Sequence, residues 1–94
     1  MVFLSGVTCE HGSLDEQLQD ILPRIGQSLA DAGSSWRNAM RVSYFLHRDQ
    51  KLEELKRLLA QQLGGDLPAT AEYAFVDGYS SPGKLIEIEV TAGP

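Results

Sequence analysis

The sequence predicts an α+β two-layer sandwich, one mixed sheet with two helices on one face, in the order βαβαββ. Three observations carry this prediction. Two segments repeat leucine or isoleucine at spacings of three and four, three segments alternate apolar and polar residues, and glycine closes each helical stretch. With 94 residues the chain supports one domain, and no linker or low-complexity stretch divides it.

The first strand is Val2 to Thr8, short and rich in apolar and β-branched residues, with Ser5-Gly6 marking a bulge or a close backbone approach. Ser13-Leu14-Asp15-Glu16 is a capping box, so a helix starts at Ser13. Leu14, Leu18, Ile21, Leu22, Ile25 and Leu29 form its apolar stripe to about Ala32, and Gly33 supplies the left-handed stop. Pro23 lies inside this helix, removes one backbone bond and predicts a bend near Gln19 to Pro23.

Ala39 to His47 alternates, with Met40, Val42, Tyr44 and Leu46 on an apolar face and Arg41, Ser43, Phe45 and His47 on the other. Asp49 is placed to cap the next helix, whose stripe is Leu52, Leu55, Leu58, Leu59 and Leu63, with Glu53 and Arg57 paired four apart. Gly64-Gly65 ends it. Thr70 to Val76 and Leu85 to Thr91 alternate again across the turn-rich segment 77–83, which predicts an antiparallel hairpin. Ala71, Tyr73 and Phe75 would then share the apolar face with Ile86, Ile88 and Val90. Glu72, Glu87 and Glu89 would crowd the opposite face, which no helix covers.

A chain this short hides only about two thirds of its unfolded surface, so the uncovered face predicts a closed homo-oligomer. Hydrophobic content of 43% with 22% charged residues is ordinary for a globular protein, and no apolar run approaches the ~18 residues of a membrane span. The apolar start lacks the basic residues and cleavage site of a secretory signal, so a cytoplasmic location is expected. A formal charge of −5 with scattered basic residues argues against a nucleic-acid partner. Cys9 reads as a small packing residue, and Cys9, His11 and His47 are too few ligands for a structural zinc, so no metal is expected. Trp36 and Tyr79 read as residues packing near loops.

Five words in order complete the reading: Phe3-Leu4-Ser5-Gly6, Ala32-Gly33-Ser34-Ser35, Arg41-Val42-Ser43-Tyr44-Phe45-Leu46, Leu67-Pro68-Ala69 and Ile86-Glu87-Ile88-Glu89-Val90. From Val2 to about Ala92 the chain resembles the YjgF-like reactive intermediate deaminase family, also called liver perchloric-acid-soluble (L-PSP) endoribonuclease-like proteins. The resemblance implies a chorismate-mutase-like fold and a homotrimer with small-molecule clefts between subunits. It also implies hydrolysis of enamines or imines, such as 2-aminoacrylate, to carbonyl compounds and ammonia without a cofactor.

Carried over by position, the family's strand-one serine and glycine fall at Ser5 and Gly6, and its acidic catalytic residue falls at Glu87. The arginine that would clamp a substrate carboxylate falls at Thr70, a departure that opens an alternative: a non-catalytic ligand-binding or regulatory trimer. Read without the family, Ser5-Gly6 is a strand irregularity, and Glu87 is a solvated carboxylate or the partner of Arg41 or Lys84. Family members usually carry a further segment, with an edge strand and an aromatic site residue, ahead of the Ser-Gly strand; the domain read here, 1–94, begins in that strand.

Overall fold

The computed structural model describes every residue except Ala69, Ser80 and Ser81, and the side chain of Asp66. The end of the Leu67-Pro68-Ala69 word and the middle of the 77–83 connection thus lie outside the described residues. The elements are β1 (Val2–Thr8), α1 (Leu14–Asp31), β2 (Ala39–His47), α2 (Leu52–Leu63), β3 (Ala71–Val76) and β4 (Ile86–Ala92). One sheet holds them in the order β1-β4-β2-β3, with β4 antiparallel to both of its neighbours and β3 parallel to β2. The leucine and isoleucine stripes of both helices pack on one face of this mixed sheet, giving the expected α+β sandwich.

The expected hairpin between β3 and β4 does not form. Instead β4 crosses the end of β2 and inserts between β1 and β2, while β3 takes the edge. Burial explains the choice. Ile86, Ile88, Val90 and Ala92 are all fully buried at the centre, and each large side chain gains about 1.5–3 kcal/mol there. At the edge, Phe75 stays 55% exposed and Tyr73 37% exposed, a position that would waste the β4 pattern. Tyr73 is partly covered by stacking on Tyr44 at 5.2 Å between ring centroids, and the Lys56 ammonium lies 5.0 Å above its ring.

Local signals fix the helix ends. Ser13 and Glu16 exchange the two bonds of the capping box, and Gly33 follows the C-cap Ala32 with φ +79°. α1 runs through Pro23 as one helix; the proline is on the solvent side, where the carbonyl it leaves unpaired is open to hydration. Asp49 does not cap α2. Its backbone N–H donates to His47 Nδ1 at 3.1 Å, turning it back toward β2, and Lys51 occupies the N-cap position without a side-chain cap bond. Arg57 pairs with Glu54 through two guanidinium nitrogens rather than with Glu53. Met40 is 55% exposed, because the ladder slips between Ala39 and Arg41 before the β2 alternation settles.

Gln17 is the one buried polar side chain among the described residues. Its Nε2 donates to the Gly12 carbonyl at 3.2 Å and the Gly83 carbonyl at 2.7 Å, and its Oε1 accepts from Leu85 N–H at 3.0 Å. It therefore ties the β1–α1 loop to the entry of β4. Gln17→Leu would leave two carbonyls and one N–H without these partners and is expected to cost about 2–4 kcal/mol. Urea unfolding measures this, and a loss under about 0.5 kcal/mol would show that water satisfies all three groups.

Candidate functional site

Strand alternation sends Glu87, Glu89 and Thr91 of β4 to the face away from the helices, along with Arg41, Ser43 and Phe45 of β2 and Glu72 of β3. The three expected carboxylates do share this open face. In the ladder, Glu87 lies between Thr8 and Phe45, and Glu89 lies opposite Ser43. The β1 bulge falls between Leu4 and Val7, so Ser5-Gly6 sits beside Glu89, and Gly6 takes the φ of +67° that the irregularity needs.

Thr70 lies elsewhere on this face. It precedes β3 and its carbonyl accepts from Val42 N–H at 3.2 Å, which places it next to Arg41. Glu87 faces Phe45, four residues further along β2 and on its other side, so strand rise and two strand spacings separate the two positions by about 16 Å within one chain. Of the four residues carried over from the family pattern, Ser5 and Gly6 lie two ladder positions from Glu87, beside Glu89, and Thr70 lies further away.

Between these positions the face sinks into a depression of about 300 Å³ walled by Phe3 and Phe45, with Arg41, Ser43, Glu72, Glu89 and Thr91 supplying its polar groups. Arg41 and Glu72 form an ion pair, and the hydrogen bond to Glu72 pushes the guanidinium further toward its charged form. This settles the sequence alternative for Arg41: its partner is Glu72 and not Glu87. Glu89 makes no ion pair or side-chain hydrogen bond among the described residues. Three carboxylates against one guanidinium leave the face net negative.

Tyr79, read from sequence as loop packing, closes the Glu87 end. Its hydroxyl donates to the Phe45 carbonyl, and its ring lies 6.5 Å from that of His47. Burial first, and the charge of Glu87 second, push its phenol up to about 12, so it stays a neutral donor near neutral pH. Arg41, Glu72 and Glu89 were visible as same-face residues in the alternation. Tyr79 carried no such signal, since it sits in the irregular connection before β4.

No protein-family profile and no curated protein sequence matches the chain. Solved structures do. A member of the YjgF/YER057c/UK114 family from Mycobacterium tuberculosis is 26% identical, with a TM-score of 0.81 over 96% of this chain and 77% of its own. A YjgF protein family member from Neisseria meningitidis is 26% identical, with a TM-score of 0.71 over 96% of this chain and 76% of its own. A Thermotoga maritima protein, named provisionally as an endoribonuclease, shares the fold at 19% identity, with a TM-score of 0.81 over 96% of this chain and 76% of its own. No helix among the described residues is long and apolar enough to cross a membrane. Over almost its whole length the chain is similar in fold to these YjgF-family structures.

Proposed function

We propose that this protein is a hydrolase of the reactive intermediate deaminase type, acting on imines as a homotrimer with its ligand sites between subunits. The observation that supports it best is Glu87, half-buried on the open face, with Tyr79 beside it and the Ser5-Gly6 bulge two residues away along the ladder, beside Glu89. A carboxylate there can accept a proton from water as the oxygen attacks the carbon of a protonated imine. The proton then passes to the departing nitrogen, so that an iminium and water give a carbonyl compound and ammonium. Glu72, Glu87 and Glu89 favour a cationic iminium electrostatically, and no cofactor enters the step. The same negative charge disfavours a phosphodiester, which weighs against ribonuclease activity.

A trimer accounts for the approximately 16 Å between Thr70 and Glu87, because a neighbouring subunit can bring the two positions of different chains together. The alternative is a trimer that binds a ligand without turning it over, and Thr70 in place of a cation is the feature that favours it. Ammonia release from an imine generated in the assay tests the two readings, with wild type and Glu87→Gln compared at matched oligomeric state by light scattering. Turnover that requires Glu87 supports the hydrolase. Absence of turnover in a trimer supports the binding protein, and a monomer at micromolar concentration overturns the intersubunit site.

A further inference from the structure

We infer that Glu72 is the specificity determinant of the open-face depression: by holding Arg41 in an ion pair it makes the depression a receptor for cationic amines and iminium ions. The depression borders the site proposed above without including Glu87, Tyr79, Ser5 or Gly6, and the inference concerns binding alone. Arg41 is the only cation among the residues that wall the depression, and its guanidinium is committed to Glu72. The remaining charge there is Glu89, which has no partner among the described residues and stands opposite Ser43 between the two phenylalanine walls.

A ligand entering the depression meets aromatic faces at Phe3 and Phe45, both of which attract a cation, and one carboxylate without a counter-charge. An ammonium or iminium group with an apolar body satisfies all of these. A carboxylate would have to displace Glu72 from Arg41 and then lie beside two unpaired glutamates, an arrangement that like-charge repulsion disfavours. The ion pair is exposed, with about half of each side chain open to solvent, so it contributes little to stability and can be altered without unfolding the sheet. Glu72 therefore decides whether Arg41 is available to an anion. Thr70, next to Arg41, offers no second cation.

Benzylamine and benzoate make a matched pair of probes, since they share the ring and differ in charge. Amide chemical shifts at Arg41, Ser43, Glu89 and Thr91 report binding at this place and need no turnover. In the wild type, benzylamine is expected to bind at least tenfold more tightly than benzoate. Glu72→Gln, nearly isosteric and exposed, is expected to shift that ratio roughly tenfold toward benzoate, and Arg41→Met on top of Glu72→Gln to abolish the gain. Wild-type preference for benzoate, or a ratio unchanged by Glu72→Gln, would overturn the inference. If selectivity follows this pattern while imine hydrolysis is absent, only the hydrolytic reading fails.

Discussion

Gly83→Ala is expected to destabilise the protein by about 3–5 kcal/mol, the largest single-residue loss the fold offers outside its apolar core. Gly83 has φ +91°, and a Cβ built there would lie 2.2 Å from the Glu10 carbonyl oxygen. Both sides of that clash are backbone, so no side chain can swing away. Moving Gly83 also moves its carbonyl, which accepts from the buried Gln17 at 2.7 Å, and with it the path of the chain into β4. Gly33→Ala is the control. Its φ of +79° is as unfavourable for alanine, but no atom lies within 4 Å of the added Cβ, so only about 1–2 kcal/mol is expected. Urea unfolding of both variants separates conformational cost from collision. Equal losses would show that the segment around Gly83 yields, and that the close approach to Glu10 is not what fixes it.

Much of the fold was legible because it depends on local periods. The capping box at Ser13, the stripes of both helices and the glycine stops at Gly33 and Gly64 are interactions within a few residues, and each appears where the sequence places it. Strand pairing is not local. Alternation tells which residues of Ala71–Val76 and Ile86–Ala92 share a face, and says nothing about which strand lies next to which. For that reason the hairpin was wrong while the grouping of Glu72, Glu87 and Glu89 was right. The signal that could have excluded the hairpin was quantitative: Ile86, Ile88 and Val90 are better buried residues than Ala71, Tyr73 and Phe75, which favours β4 for the centre and β3 for the edge.

The site was legible only in part, for the same reason. The glycine in β1 announced its bulge, and Glu87 fell on the open face by parity. The pairing of Arg41 with Glu72 follows from the parallel β2–β3 register, which puts Glu72 opposite Ser43 and next to Arg41; a β3–β4 hairpin does not supply that register. Tyr79 reaches Phe45 from an irregular segment that carries no periodicity at all.

The two positions Thr70 and Glu87 are expected to act on different kinetic parameters. For an imine bearing a carboxylate, such as that formed from 2-aminoacrylate, the wild type should be slow because nothing at Thr70 offers a charged two-pronged contact and the open face is net negative. Thr70→Arg is expected to raise kcat/KM about ten- to a hundredfold, a gain of roughly 1.4–2.8 kcal/mol in transition-state binding, expressed mainly in KM. The lower end is the better expectation, since Glu72 lies close enough along β3 to compete for the new guanidinium. Glu87→Gln should instead act on kcat, by about 10²–10⁴-fold, because an amide cannot take the proton from attacking water. That loss should be the same in the wild-type and Thr70→Arg backgrounds if the two residues serve separate steps. Light scattering on each variant guards the comparison, since the two positions lie roughly 16 Å apart in one chain and the proposed ligand site joins them across subunits. A gain from Thr70→Arg in kcat alone would remove position 70 from substrate capture, and a Glu87→Gln variant as fast as its parent would remove Glu87 from water activation; turnover in neither background would leave the ligand-binding trimer as the reading to pursue.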